Sequence, residues 1–177
     1  MARQLIASIH ALDVRTFIWC MSLKQRERLT RFSRYLSASA DGPWYVILTA
    51  LLFMLEEELP AGLLQAMLLA VSIERAIYLL AKNLFKRNRP QDALGDFHSF
   101  IRPSDRFSFP SGHTSCAFLF ASFMVLLFPQ ALLFWFSWAA AIGMSRVFLG
   151  VHFPTDTLVG AILGLTVANW AQGTMGL

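Results

Sequence analysis

Residues 107–128 read FSFPSGHTSCAFLFASFMVLLF, a polar knot at Pro110-Ser111-Gly112-His113-Thr114 followed at once by an apolar run. The run has the composition of a membrane helix, so the knot marks where that helix meets the bilayer surface. Whether the whole chain lives in hydrocarbon decides the fold. Its 177 residues are 56% hydrophobic, 14% aromatic and 15% charged, where a soluble domain carries about a quarter charged residues. Mean hydropathy is +0.52. The apolar residues gather into runs long enough for a bilayer core, which takes about 20 residues of helix. A large soluble helical core would need more polar surface than this. The composition therefore predicts one all-α domain over 1–177, a polytopic membrane helix bundle. Residues 1–34 form its interfacial segment and 35–177 its transmembrane core.

Outward from the knot, the helix is expected over 111–128, with a turn at Pro129-Gln130, a further span over 131–148 and a last one over 154–172. On the other side, 61–85 reads as a span. So does 36–56, anchored by Trp44 and Tyr45 and made irregular by Asp41-Gly42-Pro43. This predicts about five spanning helices. Residues 1–22 are expected to lie in the interface as an amphipathic helix, with Leu5, Ile9, Leu12, Phe17 and Met21 on one side and Arg3, Asp13 and Arg15 elsewhere. Burying Asp13 and Arg15 at mid-membrane would cost roughly 2.5–3.5 kcal/mol each. The same charges interrupt any signal-peptide core, so no cleavable leader is expected. Segment 24–34, KQRERLTRFSR, belongs near headgroups, and the Glu56-Glu57-Glu58 stretch is an acidic turn. Cys20 and Cys116 have no framework spacing and read as small core residues.

One long polar connection remains, 86–110. Counting spans brings 82–113 and 145–156 to the same membrane face, and with them three polar groups. In KNLFKRNRP, Lys82 and Arg89 share a helical face if the helix persists, with Pro90 ending it and Arg75 extending the stripe into the membrane. A basic stop-transfer flank explains this stretch equally well. In PSGHT, Ser111 and Gly112 sit where backbone N–H groups lack intrahelical partners, a place that suits an anion facing His113; an ordinary capped helix start fits the same residues. In SRVFLGVHFPTD, Asp156 follows His152 by four residues, so its carboxylate can orient the ring through Nδ1 and leave Nε2 as a directed base or nucleophile. Two histidines and an aspartate also suit a metal, but Lys82, Arg89 and Arg146 would ring that pocket. Three cations repel a fourth and select an oxyanion, of which phosphate is the biological candidate.

Lys82-x6-Arg89-Pro90, Pro110-Ser111-Gly112-His113 and Ser145-Arg146-x5-His152-x3-Asp156 together resemble the three-part signature of the type 2 phosphatidic acid phosphatase superfamily. That group includes membrane lipid-phosphate phosphatases, soluble acid phosphatases and vanadium haloperoxidases. The resemblance implies metal-free and cofactor-free phosphoryl transfer. His152 is then the nucleophile, Asp156 its orienter and His113 the general acid. Lys82, Arg89, Arg146, Ser111 and Gly112 hold the phosphate. Glu74 and Arg75, ionisable inside a span, are secondary candidates, either as a structural pair or in the reaction. Arg102 and Arg106 are placed on a headgroup or on bulk lipid phosphate, and His98 is a solvated loop residue. The expected partners are a lipid phosphate substrate and membrane lipids, with no nucleic acid. Candidate substrates are phosphatidic acid, phosphatidylglycerophosphate, a polyprenyl mono- or diphosphate, or a phosphorylated lipid A. Positive-inside counting of 24–34 puts the site in the cytoplasm, whereas the resemblance favours the outer face of a bacterial plasma membrane. A non-catalytic phospholipid binder or transporter and a vanadate-dependent haloperoxidase are the rival readings.

Overall fold

A computed structural model describes residues 2–56 and 58–177, apart from the side chains of residues 2, 3 and 5–7. The side chains of Arg3 and Leu5, and residue Glu57, thus lie outside the described residues. The elements are α1 (Ala2–Ser22), α2 (Arg26–Ala38), α3 (Gly42–Leu55), α4 (Leu63–Phe85), the single turn α5 (Pro90–Ala93), α6 (Gly112–Leu127), α7 (Leu132–Phe148) and α8 (Pro154–Thr174), with a short 3₁₀ turn at Pro129–Ala131 before α7. All the regular structure among the described residues is helical.

The bundle is built around α6 and α8. A Cβ on Gly164 would stand 2.2 Å from the Ser115 carbonyl oxygen, and one on Gly160 would stand 2.6 Å from that of Ser111. The two backbones therefore touch where only glycine fits, as small residues allow in membrane bundles. Around this seam Phe120, Phe123 and Met124 of α6, Val167 and Ala171 of α8, and Leu63, Ala66 and Ala70 of α4 make the main core. A second cluster joins Ala117 and Ala121 of α6 to Ala139 and Ile142 of α7.

By length and apolarity two runs can cross a membrane, Leu63–Ala93 and Pro129–Phe148, with α2 and α3 a third if taken together. The central helices of the expected five fall short for a packing reason. Helix α6 has 16 residues. Helix α8 has 21 but carries Gly160, Gly164, Ala168 and Ala171 on a buried face, where contact with another helix replaces contact with lipid.

Two sequence expectations are corrected. The span expected over 36–56 is broken at 39–41, where α2 and α3 meet at a bend of 50°. Asp41-Gly42-Pro43 starts a new helix, since proline has no N–H and suits a first turn. Residues 26–34 of the polar segment are helical and open α2, whose Thr30, Ser33 and Ser37 are buried while its arginines face outward. The inward side of α1 carries Asp13, Phe17 and Cys20, whereas Ile9 and Leu12 are exposed. Asp13 turns inward because cationic and hydroxyl partners wait there.

Candidate active site

Helix α4 ends at Phe85, and Lys86 takes the left-handed conformation, φ 44°, that closes many helices. The chain then runs extended to Arg89 before the α5 turn. Lys82 and Arg89 therefore meet by a reversal of the chain and not on one continuous helical face, which corrects the sequence expectation. Helix α6 starts at Gly112, with Ser111 at its N-cap. The amides of Gly112 and His113 thus have no intrahelical acceptor. A Cβ on Gly112 would stand 2.8 Å from Tyr78 Cε2, so the mouth of α6 is pressed against α4. The turn carrying His152 lies between α7 and α8, shaped by Gly150 at φ 75°. The Phe97 ring leaves no room for a side chain there.

These pieces form a cavity of about 200 Å³ whose lining includes Arg89, Gly112, His113, Arg146 and His152, together with Arg75 and Tyr45. Lys82, Ser111, Asp156 and Glu74 stand one layer behind. Lys82 acts through Asp105, which lines the cavity. Ser111 donates its N–H to the Asp156 carbonyl, 2.9 Å away. Its Oγ accepts from Thr114 Oγ1 at 2.9 Å, which leaves its own hydroxyl proton free. Glu74 is fully buried and binds Arg75 through both carboxylate oxygens, at 2.5 and 2.6 Å. Arg102, Arg106 and His98 are exposed and do not line the cavity.

His152 is 3% exposed and turns Nδ1 towards Asp156 Oδ2 at 3.7 Å. That separation is longer than a hydrogen bond, so the direct bond expected from the four-residue spacing is not formed. Asp156 Oδ2 instead accepts from the Phe153 amide at 2.8 Å, and Oδ1 accepts from Arg87 Nη1 at 2.7 Å. The His152 turn lies outside the spans. Burial pushes its imidazole down to about 4, outweighing the opposing pull of Asp156, so the ring is neutral at physiological pH. Three buried polar atoms of cavity-lining residues, Tyr45 Oη, His152 Nδ1 and Arg146 Nε, have no partner among the described residues. An orphaned donor on a buried guanidinium is costly and points to a ligand acceptor.

Several polar groups escape a reading of the sequence. Asp105 accepts from Lys82 Nζ at 2.7 Å and also from Arg89 Nη2 and Tyr78 Oη. Burial opposes its ionisation, but those bonds and charges hold it down to about 2, so it is an anion beside Lys82 and Arg89. Arg87, part of a basic flank in the sequence, bridges Asp156 to Asp13 of α1, whose Oδ2 is 2.5 Å from its Nη2. Asp13 also accepts from the Thr155 amide at 3.0 Å. Ser37 of α2 accepts from Arg146 Nη1 at 2.5 Å. Asp41 Oδ1 lies 3.0 Å from His113 Nε2. Only the clustering of Arg87 with Lys82 and Arg89 hints at any of these.

The family model for the PAP2 superfamily matches residues 61–175. The chain belongs to that superfamily. All three PAP2 motifs fall inside the matched stretch. Among curated PAP2 relatives, the chain is 30% identical over 144 residues to a lipid A 4'-phosphatase of Porphyromonas gingivalis, covering 75% of this chain and 61% of that protein. It is 36% identical over 118 residues to phosphatidylglycerophosphatase B of Bacillus subtilis, covering 60% of this chain and 55% of that protein. The chain thus spans less than two thirds of the length of either relative. The crystal structure of Aquifex aeolicus LpxE superposes with a TM-score of 0.77 at 26% identity, over 92% of this chain and 95% of that one.

Proposed function

We propose that this PAP2 protein is a membrane lipid-phosphate phosphatase that works through a phosphohistidine on His152. The observation that carries this reading is that a neutral, buried imidazole shares one small cavity with Arg89, Arg146, the bare amide of Gly112 and His113. With Nδ1 on the Asp156 side, Nε2 is the nitrogen that faces the substrate. It attacks phosphorus while the ester oxygen leaves towards His113, which donates a proton to it. A shift of about 1 Å closes the Asp156–His152 gap to bonding distance as the ring gains positive charge. Arg87 and the Phe153 amide hold the carboxylate in place for that moment. Arg89, Arg146 with its free Nε, the Gly112 amide and the Ser111 hydroxyl take the phosphoryl oxygens, where preorganised donors act most strongly. Lys82 acts through Asp105 in the resting state and directly once phosphate displaces the carboxylate. Water then attacks phosphorus, its proton passes to His113, and His152 leaves neutral.

The substrate is an amphiphile, a lipid phosphomonoester or a polyprenyl diphosphate. Exposed apolar residues such as Leu80 and Leu84 flank Lys82 on α4, so an acyl tail would have a lipid-facing surface beside the site. The names of the relatives, lipid A 4'-phosphatase and phosphatidylglycerophosphatase B, place phosphorylated lipid A and phosphatidylglycerophosphate first on the panel to be tried. The site is proposed to face the outside of the plasma membrane; in intact cells a Ser99→Cys variant would then react with an impermeant thiol reagent. The main test is phosphate release from a panel of lipid phosphates in detergent with EDTA present. EDTA-resistant release that vanishes in His152→Ala is the expected result. Silence across the panel would leave a lipid-binding or transport protein.

A further inference from the structure

The expected span over 36–56 breaks at 39–41, and the break delivers one residue to the site. Asp41 occupies the N-cap of α3, where an aspartate ordinarily accepts a bond from the helix's first amides, yet its side chain makes no capping bond. Its Oδ1 lies instead 3.0 Å from Nε2 of His113, across 72 residues of sequence. Both residues line the catalytic cavity. The carboxylate that could stabilise its own helix is given over to the proposed acid.

We infer that Asp41 is a positioning residue that accepts Nε2–H of His113 and, together with the arriving phosphate, holds the ring as an imidazolium with Nδ1–H turned to the leaving oxygen. This rests on the general-acid reading above. The charges around the ring explain why a carboxylate is needed. Arg89, Arg146 and Arg75 line the same cavity, and each disfavours another positive charge there. Lys82 and Arg89 are already matched by Asp105, and Arg75 by Glu74. Among the described residues, Asp41 is the carboxylate bonded to His113. An arriving phosphate adds further negative charge beside the ring. With Nε2–H donated to Asp41, Nδ1–H is the proton available for transfer. As the P–O bond breaks and the P–N bond to His152 forms, that proton moves to the departing oxygen and His113 becomes neutral. When water cleaves the P–N bond, its proton returns to Nδ1 and restores the cation. Asp41 keeps its bond to Nε2–H throughout, so the ring does not turn between the two steps.

The test compares two substrates of the purified, detergent-solubilised chain. Dodecyl phosphate must expel an alkoxide, which needs a proton, while p-nitrophenyl phosphate expels a phenolate that leaves without one. Asp41→Asn is expected to lower kcat/KM for dodecyl phosphate by about 10²-fold or more, the range of general-acid contributions, and to leave p-nitrophenyl phosphate within about fivefold of the wild type. Asp41→Glu should restore much of the loss. Asp41→Ser, which can cap α3 but carries no charge, should behave like Asp41→Asn. Equal losses on both substrates, or none on dodecyl phosphate, would overturn the inference. The reference variant is His113→Ala. If it lowers both substrates equally, the general-acid reading fails and the Asp41 inference falls with it. If His113→Ala shows the selective loss and Asp41→Asn does not, only the Asp41 inference fails.

Discussion

The two halves of the molecule are built differently. Helices α6 to α8 close on one another through glycine and small residues, and together with the turn between α7 and α8 they carry His113, Arg146, His152 and Asp156. Helix α3 has no buried residue at all, and α1 and α2 leave Leu12, Trp19, Phe32 and Tyr35 exposed. Yet the N-terminal part hands three polar groups to the site: Asp13 to Arg87, Ser37 to Arg146 and Asp41 to His113. In the proposed reaction the C-terminal half carries the reacting groups, and the N-terminal half supplies their polar partners while leaving its own apolar side exposed.

The contrast can be broken or sharpened by substitution. The largest effect is expected from His152→Ala, which should remove turnover while leaving the detergent-solubilised protein folded; measurable steady-state release would end the nucleophile assignment. Next comes Arg87→Met, which frees Asp156 on one side and strands Asp13. A fall in kcat of about 10–100-fold, with little change in KM, is the pattern of a lost supporting contact, and Asp13→Asn should give a smaller fall in the same direction. Gly164→Ala drives a methyl into the α6 backbone and should cost about 1–3 kcal/mol of stability, read as a lower thermal midpoint. Val46→Ala on α3 should stay within about 0.5 kcal/mol. If the two variants melt alike, the halves do not differ as described.

A subtler readout is pH. In the proposed mechanism His152 attacks only when neutral, and burial pushes its imidazole down to about 4. The acid limb of kcat/KM attributable to this ring should therefore fall below about pH 5, well under the ordinary histidine range near 6.5. A limb at about 6.5 that persists in His113→Ala would contradict that. The smallest effect is expected from Arg102→Ala and Arg106→Ala, which lie outside the cavity and should change kcat/KM less than about threefold.

Much of the fold and the site is legible in the sequence. Helices expected over 61–85, 131–148 and 154–172 match α4, α7 and α8 within a few residues, because long apolar runs bounded by proline, glycine and charge leave few alternatives. The cavity-lining Arg89, Gly112, His113, Arg146 and His152 all belong to three short motifs. The break at 39–41 is visible as Asp41-Gly42-Pro43, but in the sequence it reads as irregularity within a span. Asp13 reads as a charge to be kept out of the membrane, since a sequence shows the cost of burying a carboxylate but not the guanidinium that offsets it.

The sequence alone determined that the chain is a helical membrane protein and which motif residues are the candidates for a shared site, because apolar run length and motif spacing are local properties. Only the tertiary structure decided how those side chains are held. The partners of Arg87, Arg146 and His113 lie 74, 109 and 72 residues away, and a hydrogen bond depends on an approach of about 3 Å that no local pattern encodes.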